Sequence, residues 1–375
     1  MKKVLFVATV DQHIRHFHIP YLRWFKSKKF QVSVASNGNE NVPYVDVKYD
    51  VSFERSPWSY NNLKAFLTLK KLLKENQYDI IHTHTPVASI LVRLANLITG
   101  KTSKIIYTAH GFHFYKGAKL INWLLYYPVE KMLSYKTDTL ITINDEDYNS
   151  AIRNKFGCGN VYLVDGVGVN LDKYKAPTEN EKLKLREINN LGENEFILIY
   201  VGELSKRKNQ ELLLESISKL TTRIDNLKLL LVGKGNEETN LRKKCSLLNL
   251  NHTVEFLGYR NDISDLMKLS DLSVSTALQE GLPVNIMESL SSGLPCIVTN
   301  CRGNRDIIND GVNGFVVEYY DPELFSDKVF KIYNDKSIYR EIKFNTIPSV
   351  EKYSDKEVLK AMSNIYSEYI GNKSE

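Results

Sequence analysis

The sequence predicts an α/β protein made of two Rossmann-like domains, each built around a parallel sheet. Two observations carry this. Short apolar, β-branched runs recur along the whole chain and alternate with segments of helical periodicity, the pattern of strands joined by right-handed crossovers. The runs also fall into two series, divided by a polar stretch at Asp172–Asn194. A chain of 375 residues is long enough for two full cores, and a hydrophobic content of 43% is that of a globular protein.

The first series comprises the expected strands Lys3–Thr9, Gln31–Ala35, Asp79–Thr83, Lys104–Thr108, Thr139–Ile143 and Val161–Val164. The start is basic and then apolar, as in a signal peptide. Its apolar run is too brief, and Asp11, Gln12 and His13 follow at once, so it reads as a buried strand. Thr9–Pro20 reads as the loop after it. The second series comprises Phe196–Val201, Lys228–Val232, Thr253–Leu257, Leu272–Ser275, Pro295–Thr299 and Gly314–Val317. Expected domain bounds are 1–175 and 176–354, with an amphipathic helix over Asp355–Ile370. No run of eighteen apolar residues marks a membrane span. Four cysteines (Cys158, Cys245, Cys296, Cys301) form no metal-type pair and no disulfide-rich cluster, which fits a reducing cytoplasm.

The net charge of +6 is unevenly placed. Residues 1–175 hold 24 Lys and Arg against 14 Asp and Glu, while the remainder holds 26 against 30. An anionic partner is therefore expected for the first half only. No nucleic-acid-binding motif is present, which leaves an anionic membrane face or a lipid diphosphate.

The most informative segment is Ala277–Leu290, where Glu280 and Glu288 stand eight residues apart with Gly281 and Pro283 between them. A buried strand precedes it, and Val284, Met287 and Leu290 follow at helical spacing. Pro283 suits the first helical position. The amides of Val284 and Asn285 then lack an intrahelical acceptor, and with the helix dipole they can seat a phosphate. Gly281 lets a ligand approach the backbone. Two carboxylates, one at the loop lip and one a turn deeper, can accept hydroxyl hydrogen bonds. The segment resembles the E-x7-E signature of retaining GT-B glycosyltransferases, and its surroundings resemble family 4 over essentially the whole chain. The resemblance implies a GT-B fold, with two Rossmann-like domains facing a central cleft and the C-terminal helix crossing back onto the first domain. It also implies that Glu280 binds donor-sugar hydroxyls, that Glu288 binds the ribose, and that Gly281, Leu282, Val284 and Asn285 edge the donor site.

Other segments join this reading. Tyr200–Asn209 ends a strand with Lys206, Arg207 and Lys208, which suit a diphosphate clamp. The family pattern is G-R-L followed by a Lys. Gly202 and Lys208 match it, but Glu203 replaces the Arg, leaving Arg207 or Lys206 to supply the second cation. The resemblance places the nucleotide base near Gly233 and near the backbone of Tyr259 and Arg260; both sites read equally well as structural turns. In Lys104–Tyr115, His110 sits at a strand end before Gly111, and the resemblance puts it at the reaction centre, with His113 in reserve. His82-Thr-His84 on one strand offers two metal ligands at most, so His84 reads as acceptor-side lining or as loop packing. His16 is the candidate in the Thr9–Pro20 loop, where the glycines common in this fold are missing. Asp145-Glu-Asp147 resembles the DxD metal motif of the other glycosyltransferase architecture, but acids after a strand and before a helical run read better as a cap. Trp58–Glu75 and Leu120–Leu133 mix aromatics, leucines and lysines, either as interfacial segments or as sheet-covering helices.

The expectation is a metal-independent, cofactor-free retaining glycosyltransferase of capsule or exopolysaccharide type. It would move a hexose or N-acetylhexosamine from a nucleotide diphosphate, UDP by preference, to a lipid-linked saccharide. The setting would be the cytoplasmic face of a membrane, to which the protein is peripheral. The alternatives are a GT-B sugar-nucleotide epimerase and a non-catalytic nucleotide-sugar-binding subunit. A dehydrogenase is disfavoured, because no G-x-G-x-x-G follows the first strand. The sequence names neither sugar, acceptor nor linkage.

Overall fold

A computed structural model describes residues 1–100 and 102–371. It divides into two compact units, Met1–Gly168 together with the chain from Asp355 onward, and Val169–Ser354. The first unit holds seven parallel strands: β1 (Lys3–Val10), β2 (Gln31–Asn37), β3 (Val47–Asp50), β4 (Ile80–Thr83), β5 (Lys104–Ala109), β6 (Thr139–Thr142) and β7 (Asn160–Leu163), in the order β3-β2-β1-β4-β5-β6-β7. The order reverses between β1 and β4, so the helices after these strands leave on opposite faces and a crevice opens at their carboxyl ends. Along β1, Val4, Phe6 and Ala8 pack on one face, with Tyr21, Leu22 and Phe25 of the helix Ile19–Ser27. Leu5 and Val7 pack on the other face, with Ala65, Leu69 and Val92. Burial on both faces is why the strand reads as a continuous apolar run rather than an alternating one.

The helix Asp355–Ile370 completes the first unit by burying Val358, Met362, Ile365 and Tyr366 against the β1 face. Each apolar side chain so covered stabilises by about 1.5–3 kcal/mol. The Tyr366 hydroxyl meets His82 Nδ1 at 2.8 Å, and His82 Nε2 meets Thr108 Oγ1 at 2.8 Å. His82 is thus a fully satisfied core histidine.

The second unit repeats the plan with β8 (Phe196–Val201), β9 (Leu227–Val232), β10 (Val254–Gly258), β11 (Leu272–Ser275), β12 (Cys296–Thr299) and β13 (Gly314–Val317), ordered β10-β9-β8-β11-β12-β13 and again all parallel. Its order reverses between β8 and β11.

Four details differ from the sequence reading. β3 goes unforeseen because it is a half-exposed edge strand interrupted by Lys48 and Asp50. The segment Thr9–Pro20 is not a loop but contains the helix Asp11–Phe17, with a second helix starting at Ile19. Helical residues need no positive φ, which accounts for the missing glycines. The boundary between units falls at Gly168 rather than at residue 175. Val169 N–H donates to Tyr353 O, Ser264 Oγ to Lys173 O and Ser291 Oγ to Tyr174 O, which ties residues 169–175 to the second unit. The polar divider Asp172–Asn194 itself holds the helix Glu179–Ile188, anchored by Arg186 Nη2 on Asp271 Oδ2 at 2.7 Å.

Candidate active site

In the second unit the charged residues gather at the reversal between β8 and β11. The loop after β8 carries Lys208, held by its carbonyl, which accepts from the Tyr200 hydroxyl and from Thr276 Oγ1 at 3.3 Å each. Lys208 Nζ donates to Glu280 Oε1 at 2.5 Å. Arg207 Nη1 donates to the Gln279 carbonyl at 2.9 Å and lies 3.3 Å from Glu280 Oε2. Arg302 Nε donates to the Glu280 carbonyl at 3.1 Å. Lys208 and Glu280 are both buried, so the pair is charge-assisted and poorly screened. The cations and the first carboxylate of the bracket therefore hold each other. Glu203, which stands where the family has Arg, is exposed and lies 3.9 Å from Arg207 Nη2, drawing that guanidinium from the other side.

The helix Val284–Ser291 follows directly, with Pro283 as its N-cap rather than its first residue. The Asn285 side chain donates to Val201 O at 2.9 Å, which fixes the helix start against the end of β8. Its backbone amide and that of Val284 belong to the first turn, where no intrahelical acceptor exists. Leu282 is buried beneath the loop. Gly281 O lies 2.6 Å from where a Cβ on Gly303 would stand, and Gly303 has φ +81°, so only glycine allows that approach.

Glu288 lies in this helix, one turn in and half-buried. Burial pushes its carboxyl up to about 7, against the lowering pull of a hydrogen bond from the Tyr174 hydroxyl and of the Lys173 charge. Glu280 is thus met by two cations, while Glu288 is met by a neutral phenol hydroxyl. Tyr174 and Arg302 escape sequence reasoning, since neither stands in a motif and both reach the site only through tertiary packing.

Gly233 has φ +138°, and a Cβ there would lie 1.9 Å from the Gly202 carbonyl oxygen. Its N–H donates to Gly258 O at 2.8 Å. This glycine lets the loops after β8, β9 and β10 close on one another. Tyr259 is exposed, and Arg260 Nε donates to Asp262 Oδ1 at 2.7 Å.

In the first unit the histidines converge. His84 follows β4, His110 follows β5, His13 lies within the helix after β1 and His18 is the C-cap of that helix, so three adjacent strand ends meet. The His18 and His84 rings stack with centroids 3.6 Å apart, and His13 lies 4.8 Å from His110. His84 is not among the residues lining the cavity next to it. It is buried, and Thr85, Pro86 and Val87 after it form the wall of a cavity of about 460 Å³. His16 lines that cavity and is exposed, its Nδ1 2.6 Å from Gln12 O. His113 also lines it, stacked on Tyr126. The His82-Thr-His84 segment contributes only His84 to a cluster in which ligand atoms of His13, His18, His84 and His110 all lie within 4.8 Å of one another.

Asp145-Glu-Asp147 opens a helix. Asn144 is its N-cap, accepting from Asp147 N–H at 2.9 Å, and Asp147 Oδ2 accepts from Phe112 N–H at 2.9 Å. These acids are structural. The helices Asn61–Glu75 and Leu120–Ser134 each bury one face, yet leave Leu63 and Leu67, and Leu120, Ile121, Leu124 and Leu125, exposed. Among the described residues no helix is long and apolar enough to cross a membrane.

Two parallel-sheet units of this strand order, the second with a buried cation–carboxylate pair beside a helix start, have the architecture of the GT-B glycosyltransferases. Comparisons with known proteins agree. Residues 181–347 match the family "Glycosyl transferases group 1" and residues 3–144 the family "Glycosyl transferase 4-like". EpsD of Bacillus subtilis (strain 168), to which glycosyltransferase activity is ascribed, is 40% identical over 98% of this chain and 97% of its own. The UDP-Gal:alpha-D-GlcNAc-diphosphoundecaprenol alpha-1,3-galactosyltransferase of Escherichia coli is 31% identical over 78% of this chain and 79% of its own. Among solved structures, Anabaena HepE in complex with UDP and glucose superposes with TM-score 0.81 at 18% identity, covering 98% of this chain and 100% of that one. The lipopolysaccharide glycosyltransferase WaaG superposes with TM-score 0.76 at 16% identity, covering 96% and 99%. The chain belongs to the GT-B glycosyltransferases of capsule and exopolysaccharide type.

Proposed function

We propose that this enzyme is a retaining transferase that moves a hexose or N-acetylhexosamine from a UDP-sugar to a lipid-diphosphate-linked saccharide. The observation that carries the reading is the Glu280 carboxylate clasped by Lys208 and Arg207 beside the start of the helix Val284–Ser291. Donor binding would let the diphosphate share those cations and the first-turn amides, freeing Glu280 to accept from sugar hydroxyls while Glu288 accepts from the ribose. Preorganised donors of this kind stabilise the charge that develops on the leaving diphosphate. In this reading the cations, rather than a divalent ion, meet that charge. The 31%-identical E. coli relative, whose donor is UDP-Gal and whose acceptor is a diphosphoundecaprenol-linked sugar, supports both substrate classes.

The first unit would take the acceptor. The cavity beside Gln12, His16 and Arg55 offers polar and basic groups. Exposed Leu120, Ile121, Leu124 and Leu125, with Lys116 and Lys119 nearby, suit peripheral contact with an anionic membrane. His110 remains the first unit's candidate at the reaction centre.

The test is incubation of the purified chain with a panel of UDP-sugars, with and without a short-chain lipid-diphosphate monosaccharide. Expected are a disaccharide lipid and released UDP, with the anomeric configuration of the donor kept by NMR. An epimerised UDP-sugar in the absence of acceptor, or an inverted product, would overturn the proposal.

A further inference from the structure

Seven of the eight histidines of the chain fall within residues 13–113. Four of them, His13, His18, His84 and His110, form one cluster in the first unit. Both ring nitrogens of His18 and of His84, and the Nε2 of His13 and of His110, are buried without a hydrogen-bond partner. A buried imidazole nitrogen left unpaired forfeits a hydrogen bond that water would have given it. Six such atoms in one place mark a ligand, and a single ion takes up one nitrogen from each of the four rings. His82, the fifth ring of the group, has both nitrogens occupied by Thr108 and Tyr366 and stands outside the set.

From this placement we propose that His13, His18, His84 and His110 form a binding site for one transition-metal dication of the zinc class. Their ligand atoms lie within 4.8 Å of one another. A tetrahedral ion bonded to imidazole at about 2.0–2.1 Å needs ligand atoms about 3.3 Å apart, so the rings must draw in and the stacked His18 and His84 planes must tilt to share it. Burial favours the uncharged ring, the form that ligates. An all-imidazole set selects Zn²⁺, Co²⁺, Ni²⁺ or Cu²⁺, whereas Mg²⁺, Ca²⁺ and Mn²⁺ need oxygen ligands that are missing from it. Four protein ligands close the coordination shell, so the ion is structural. It ties the helix Asp11–Phe17 to the ends of β4 and β5 and fixes the His110 ring. The site belongs to the first unit, whereas Lys208, Glu280 and Glu288 belong to the second, and it stands whether or not the donor reading holds.

The test uses the full chain stripped with a chelator and returned to metal-free buffer. Titration with ZnCl₂ against a chromophoric chelator should give one site per chain. CoCl₂ should give an intense visible spectrum of tetrahedral type, and MgCl₂ and CaCl₂ should give nothing. Zn²⁺ should raise the melting temperature, because an ion that binds only the folded chain stabilises it. His13→Ala, at the rim of the cluster, and His18→Asn, which keeps a polar side chain in the core, should each weaken Zn²⁺ binding at least about 100-fold, more than loss of a supporting outer group does. His16→Ala, on the same helix but outside the set, should bind as the parent does. Circular dichroism establishes that each variant folds. Absence of a stoichiometric site in the folded parent, or unchanged affinity in folded His13→Ala, would overturn the proposal, and loss of binding in His16→Ala would place the ion elsewhere.

Discussion

The two units share a strand order and bring polar side chains to the same topological place, yet the chemistry there is opposite. At the reversal of the second unit, buried Lys208 and partly exposed Arg207 neutralise buried Glu280 with short, charge-assisted contacts. At the reversal of the first, buried rings gather without a charge and without partners. Both arise because adjacent parallel strands deliver their following residues to one edge of the sheet. What differs is how the cost of burial is met. Opposite charges meet it within the chain, so the second site is self-contained and its ligand must compete with an internal pair. Unpaired imidazoles leave it unmet, so the first site gains most from something added.

The comparison is broken most strongly by cutting the charged pair. Lys208→Ala should lower transfer at least about 100-fold, the scale of losing one preorganised donor to developing charge. It should also destabilise the fold toward the lower end of about 3–5 kcal/mol, since Arg207 still faces the buried carboxylate. Glu280→Ala should abolish transfer as well, and the double variant should be no worse than the worse single. By contrast, removing Glu323, which pairs with Lys219 at the surface, should leave both activity and melting temperature nearly unchanged. Additive losses at positions 208 and 280 would contradict the coupling.

Next in size is Gly233→Ala, which should cost about 1–3 kcal/mol from its dihedral alone. The clash with the Gly202 carbonyl adds to this, read as an earlier midpoint in urea. The effect should fall on stability of the second unit before it falls on donor choice.

Glu288 sharpens the comparison through pH. Its carboxyl is raised from 4.5 to about 7 in the folded chain. Between those values the unfolded chain has lost the proton and the folded chain keeps it. The stability contributed by this group is therefore full below 4.5 and is lost as pH rises through about 7. Without nucleotide, Glu288→Gln should gain melting temperature relative to the parent as pH goes from 5 to 8. UDP affinity should rise over the same interval in the parent, because the ribose hydroxyls need the ionised acceptor, and should stay flat in Glu288→Gln, lower by about tenfold at pH 8. A parallel rise in both proteins would remove Glu288 from the nucleotide site. The smallest expected effect is that of Leu124→Glu with Leu125→Glu. This pair should reduce co-sedimentation with anionic vesicles while leaving transfer to a soluble acceptor analogue intact.

Much of this was legible in the sequence. Twelve of the thirteen strands stand out as apolar runs, because strands buried on both faces carry no alternation to blur them; β3, half-exposed and charged, does not. The segment Glu280–Glu288 announces its strand, turn and helix by local chemistry alone. The cations at Arg207 and Lys208 were visible as a run, but not that they lean on Glu280. Nothing near Glu288 points to Tyr174, which comes from the start of the second unit, more than a hundred positions earlier in the chain. The Thr9–Pro20 segment was misread as a loop because its histidines and Arg15 mask the helical period, and with it went the sight of His13 within one short helix and His18 at its end.

The sequence by itself determined the two parallel α/β units, the membership in a transferase family and the acidic bracket, because periodicity and short spacing are local and survive without a third dimension. Only the tertiary structure decided which charges neutralise one another, how dry Glu288 becomes, and that histidines up to 97 positions apart share one pocket. Those properties depend on distance and on exclusion of water. The order of β1, β4 and β5 sets both for the histidines, and that of β8 and β11 for the charges, and no window along the chain contains either order.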